Sequence, residues 1–162
     1  MKTNTKIIAL LMALCLLFCG CAVEDQTVTA DELTITLPGN YKDYSGEDFA
    51  AGYTLVYGHN DAVVMALKEE FTVFEEYGLT LTLQEYADLV LEANDITDGV
   101  QEINGILTFT FTNDSDGESH SYQAAVFEGE DAFWLIQAGC LTENFEKYQE
   151  TFLNILTSVK LS

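Results

Sequence analysis

The residues able to do chemistry are few and scattered. The densest group is Asn113, Asp114, Asp116 and Glu118 with Gly117 among them, oxygen donors at roughly the spacing of a calcium loop. Aligned to an EF-hand, Asp114, Asp116 and Gly117 take positions three, five and six, but Thr112 stands at position one and Gln123 at position twelve, where a bidentate glutamate belongs. Strand patterns also flank the segment where an EF-hand has helices. A solvated hairpin loop over 113–118 accounts for these acids, and an acidic calcium-responsive module is the alternative. His59 falls in a turn pattern and His120 at the start of a strand pattern, with no Cys/His spacing for zinc. There is no HExxH, no phosphate-binding glycine-rich loop and no nucleophile elbow. Carboxylates are plentiful, but none forms a pair marked out for glycoside chemistry. The chain therefore offers no catalytic residue, no metal ligand set and no cofactor motif. An enzyme of unknown class is the last of the three readings, behind a binding or assembly module and the calcium-responsive one.

The cysteines carry more information. Lys2 and Lys6 form a positive start, and twelve apolar residues follow over 7–18. As a helix that run spans ~18 Å, short of the ~30 Å hydrocarbon core, so it reads as the hydrophobic part of a signal peptide. Cys19, Gly20, Cys21 and Ala22 come next. This stretch resembles the lipobox of bacterial lipoproteins, which ends in a small residue before the cysteine that is modified. Gly20 then Cys21 fits. Phe18 and Cys19 depart from the usual leucine and small residue, and bulky Phe18 makes Cys19 the poorer acceptor. The resemblance implies cleavage before Cys21, lipid attachment on Cys21, and anchoring on the extracytoplasmic face of a membrane in the cell envelope. One acyl chain holds a protein only marginally and two hold it stably, so diacylglycerol would make a polypeptide anchor unnecessary. Cys15 and Cys19 would leave with the leader. Cys140 is then the only thiol, no internal disulfide can form, and its apolar surroundings point to a buried, inert side chain.

Charge narrows the partners. Acids number 27 and bases 6, and no acid precedes Glu24. Without Lys2 and Lys6, four lysines face 27 acids, a formal charge of −23. Such a surface repels phosphate backbones, so nucleic acid is rejected as a partner. It also repels anionic headgroups, so the folded part should stand off the bilayer to which lipid ties it. An envelope protein or a small ligand remains as partner.

The elements that must position these residues follow from periodicity. Residues 1–20 are the leader, 21–31 a small polar stretch read as a flexible tether, and 32–162 one globular domain. Leu33, Ile35 and Leu37 alternate with threonines, a strand stopped by Pro38-Gly39-Asn40. Residues 41–52 are irregular. Residues 53–57 and 62–69 form a hairpin across Gly58-His59-Asn60-Asp61. Residues 70–81 are ambiguous. Thr82 and Glu85 have capping-box spacing, and Tyr86, Leu89, Val90 and Ala93 share a helix face. Four antiparallel strands follow: 100–103 and 106–112 across Asn104-Gly105, a type I′ signal, then 119–128 and 132–140 across Gly129. Phe133-Trp134-Leu135-Ile136 is apolar on both faces, as in a central strand covered on both sides. A second helix over 143–158 carries Phe145, Tyr148, Phe152, Ile155, Leu156 and Val159.

This order gives an α+β fold, an antiparallel sheet of about six or seven strands with two main helices. It resembles the PsbP-like superfamily of α-β-α sandwiches over roughly residues 33–161. The opening strand 34–38, the helix entry 82–87 and the ending 152–160 carry the likeness. The resemblance implies a binding or assembly factor with no shared catalytic residues.

Overall fold

Leu33, Ile35 and Leu37 do what a period of two demands. In the computed structural model, which describes residues 23–115 and 117–162, β2 (Leu33–Leu37) buries these three side chains and leaves Thr34 and Thr36 half-buried. The leader and Cys21 lie outside the described residues. Against β2 runs β1 (Gln26–Ala30), antiparallel, with Gln26 opposite Leu37 and Ala30 opposite Leu33. This corrects the tether expected over 21–31, since half of that stretch is strand. Val28 and Ala30 pack on the core, and Asp31 turns the chain at φ +55°. The alternation in β1 is mild enough to pass for linker composition. β10 (Lys160–Leu161) pairs with the other edge of β2 and completes a three-stranded sheet.

The second sheet has seven antiparallel strands in the order β3-β4-β5-β9-β8-β7-β6. They are β3 (Lys42–Asp43), β4 (Leu55–His59), β5 (Ala62–Glu70), β6 (Gln101–Ile103), β7 (Ile106–Ser115), β8 (Glu118–Glu128) and β9 (Ala132–Leu141). Asn104 and Gly105 adopt φ +54° and +81°, as the Asn-Gly turn between β6 and β7 requires. Two turns are tighter than their composition suggests. Gly58 and His59 end β4 by pairing with Val63 and Ala62, so only Asn60-Asp61 turns, and Lys42 of β3 pairs with Gly58 on its other edge. Ser115 pairs with Glu118, so most of the polar loop expected over 113–118 is instead the paired ends of two strands. Cross-strand pairing overrides polar composition there.

Helices close the layers. α1 (Phe71–Glu76) resolves the ambiguous stretch 70–81, and residues 41–52 hold β3 and a short 3₁₀ turn. α2 (Leu83–Ala93) starts at the expected capping box: Glu85 N donates to Thr82 Oγ1 at 3.3 Å and Thr82 N to Glu85 Oε2 at 2.8 Å. α3 (Phe145–Thr157) follows a 3₁₀ turn at Thr142–Asn144, so the α-helix is shorter than the expected 143–158. β9 is central, and its run Phe133 to Ile136 is covered on both faces, as the apolar pattern predicts. Trp134, Ile136, Ala138 and Cys140 face α3 and β2, and Phe133 and Leu135 face α1 and α2. A clasp joins the two sheets. Trp134 Nε1 donates to Glu32 Oε1 at 2.7 Å, and Lys68 Nζ donates to Asp31 Oδ2 at 2.7 Å and contacts Asp131 Oδ1 at 3.1 Å.

Candidate functional site

The main helix on the second face is short beside the strands it covers. α2 has 11 residues and so spans ~16 Å. The strands beneath it, β7, β8 and β9, have 10, 11 and 10 residues, ~33 Å each. Both helices on this face gather at Phe133: Phe71 meets it edge-on at 4.8 Å and Tyr86 stacks on it at 4.4 Å. Tyr86 also donates from its hydroxyl to Glu69 Oε2 at 2.6 Å, which pins α2 to β5. The other half of the sheet face carries no helix. Along β9, successive residues on this face run Phe133, Leu135, Gln137, Gly139, from bulky and apolar to nothing at all.

Tyr122 fills the space Gly139 leaves. The two are cross-strand partners in β8 and β9, and a Cβ at residue 139 would collide with the Tyr122 ring. Tyr122 thus lies across to β9, and Phe111 of β7 stacks on it at 4.8 Å with 11° between ring planes. Met65 of β5, Leu135, Gln137 and Tyr53 complete a cleft of about 200 Å³. A second cavity of about 390 Å³ adjoins it at the open edge of β7, where Asp95 and Asp98 contribute to its wall. The two share Asn94, Ile96, Phe111 and Tyr122. The wall loop is held from α2: Asn94 Nδ2 donates to Val90 O at 2.8 Å and Ile96 N to Leu91 O at 2.9 Å. Burial pushes the Tyr122 hydroxyl above its ordinary pKa, and Tyr53 adds to the shift, so it stays a neutral donor. No lysine lines either cavity. The combined space falls within the ~300–1,000 Å³ usual for ligand pockets.

The residues singled out by sequence lie elsewhere or apart. Asp114 sits opposite Ser119 in the β7–β8 ladder and His120 opposite Asn113, while Asp116 is outside the described residues. Consecutive strand residues point to opposite faces, so Asn113 and Asp114 do not converge. Among the described residues no three His, Cys, Asp or Glu side chains group to hold a metal. His59, at the end of β4, pairs its Nε2 with Asn60 Nδ2 at 2.9 Å. Cys140 is buried, and burial, aided by Asp61, pushes its thiol up to about 11, far from a reactive thiolate. Burial also acts on Asp61, but the Asn144 amide at 2.7 Å, its own backbone amide and the Tyr148 hydroxyl outweigh it and hold the carboxyl low. That network ties the β4–β5 turn to the start of α3.

Sequence reasoning missed the cleft. Its residues come from four strands, the end of α2 with the loop after it, and the segment before β4, at no regular spacing. One signal was available: a glycine inside an apolar central strand marks a close approach of another group, and Gly139 is such a glycine.

Fold and cleft together define an α+β protein with a seven-stranded antiparallel sheet, a separate three-stranded sheet and two main helices. Among the described residues no helix is long and apolar enough to cross a membrane. No family model and no curated protein matches the chain. Solved structures superpose on the chain to different degrees. A Bacteroides thetaiotaomicron protein superposes with a TM-score of 0.55 at 10% identity, over 85% of this chain and 48% of its own, so this chain spans about half its length. Cyanobacterial PsbP (CyanoP) from Synechocystis sp. PCC 6803 gives a TM-score of 0.47 at 13% identity, over 90% and 96% of the two chains. LpqN of Mycobacterium tuberculosis, described as involved in cell envelope biogenesis, gives 0.42 at 13% identity, over 86% and 91%.

Proposed function

We propose that this protein is a non-catalytic binding module, held outside the cytoplasm by lipid on Cys21, that takes its ligand in the cleft beside Tyr122. The observation that carries the reading is the uncovered half of the sheet, where Gly139 makes room for an aromatic floor. A core built only for stability would have extended α2 or filled the space. The leader pattern through Gly20-Cys21 supports the address.

Two measurements test the proposal. Intact mass of protein extracted from membranes should show loss of residues 1–20 and gain of a diacylglyceryl group, with Cys21→Ser removing both changes. An unacylated chain, or one with its leader, refutes the anchor. Met65 is the one methionine beyond the leader, so its ε-methyl NMR signal reports on the cleft alone. A set of small fragments spanning neutral, cationic and anionic compounds should include members that shift it saturably. A Met65 signal indifferent to all of them refutes the site.

A further inference from the structure

The chemistry of the cleft selects among ligands. Its lining is aromatic and soft: the stacked pair of Phe111 and Tyr122, with Tyr53 and the Met65 thioether. An anion would meet no cation in either cavity, and it would meet Asp95 and Asp98 in the adjoining wall. It would also approach through the field of a domain whose four lysines face 27 acids. One of those lysines, Lys68, is already held by Asp31 and Asp131. A bare metal ion needs several hard oxygen donors held together, and among the described residues no three His, Cys, Asp or Glu side chains group to hold one. Aromatic faces together with a negative field fit a cation that sheds water easily, which is a nitrogen wrapped in methyl groups.

We propose that the cleft binds a small soluble organic cation of the quaternary or methylated ammonium class, seated against Tyr122 and Tyr53 with its charge toward Asp95 and Asp98. This rests on the binding-module reading above and names the ligand class for the same site. A zwitterionic lipid headgroup carries the same ammonium, but its phosphate would face the same carboxylates. The assignment is therefore to a free cation.

The test is a titration of the intact purified chain, in a non-ionic detergent, read at the Met65 methyl. Tetramethylammonium and choline should shift it saturably. The neutral isostere 3,3-dimethylbutan-1-ol should bind on the order of tenfold more weakly, the loss expected when cation–π attraction is removed. Tyr122→Leu and Tyr53→Leu should each weaken choline by roughly five- to tenfold. Tyr53 precedes β4 and is only half-buried, so it keeps the test decisive should Tyr122→Leu disturb folding. Asp95→Asn with Asp98→Asn should weaken choline about twofold, an effect that shrinks in high salt. Phosphatidylcholine vesicles should leave the signal unmoved, and a shift with them overturns the assignment to a free cation. Equal binding of the neutral isostere overturns the cation while leaving the binding module standing. Silence toward every fragment removes the module's site as well.

Discussion

The two faces of the seven-stranded sheet are finished differently. On one, α3 brings Phe152, Ile155 and Leu156 against Trp134, Ile136 and Ala138, and β2 adds Leu33, Ile35 and Leu37; all nine are essentially without solvent contact. The small sheet extends this layer to where α3 stops. On the other, α1 and α2 cover the Phe133 end and leave Met65, Phe111, Tyr122 and Gln137 partly exposed. The strands are the same strands, so backbone pairing does not explain the contrast. It comes from what the chain supplies as cover: a helix and a sheet for one face, two short helices for the other. Stability is concentrated on the first face, and the surface free to meet a ligand on the second.

Substitutions can break this contrast, and their sizes differ. Phe152→Ala on the closed face should cost the most, ~3–5 kcal/mol, as expected for a buried aromatic that leaves a cavity; chemical denaturation measures it, and a loss near zero would mean the face is not a packed core. Gly139→Ala on the open face should cost ~1–3 kcal/mol by overpacking and displace the Tyr122 ring, visible as a moved Met65 methyl signal. A variant that melts like wild type with that signal unchanged would show that Tyr122 does not lie over residue 139. Thr82→Ala removes half of the α2 capping box and should cost ~1 kcal/mol, lowering the melting temperature by a few degrees without altering the Phe152 face.

The smallest effect at neutral pH belongs to Tyr41, buried on the closed face, whose hydroxyl finds no partner among the described residues. Burial, and then the neighbouring Tyr148, Cys140 and Asp61, push its pKa from 10.0 up to about 12. A raised pKa means that the fold prefers the protonated form. The stability it contributes is complete below pH 10 and is lost as pH rises to about 12. Tyr41→Phe should therefore be close to neutral at pH 7 and should flatten the fall in melting temperature on the alkaline side. An unchanged alkaline fall would place the titrating group elsewhere.

Much of the closed architecture was legible in the sequence, because its signals are local. Alternation marked β2, Asn104-Gly105 placed the β6–β7 turn, the Thr82/Glu85 spacing started α2, and the doubly apolar run around Trp134 made β9 central. Three things were hidden. β1 lacks strong alternation and is a strand only because β2 offers an edge. The polar ends of β7 and β8 read as a loop because composition says nothing of pairing register. The cleft is a vacancy between elements, and its size depends on how far α2 falls short of the strands below it. Only Gly139 hinted at it, and a glycine does not reveal which ring will lie across it.

The strand character of Gln26–Ala30 has a mechanical consequence. Four residues separate Cys21 from Gln26, a leash of ~18 Å at full stretch. Gln26 is itself moored, its Nε2 donating to the carbonyl oxygens of Pro38 and Tyr41 at 3.2 and 2.7 Å. A lipid on Cys21 would hold that corner next to the headgroups and leave little freedom to swivel. Repulsion from anionic lipids fades over a Debye length of ~8 Å, well inside the leash. The acidic body would clear that zone before the leash is fully drawn out, with the same corner always nearest the bilayer.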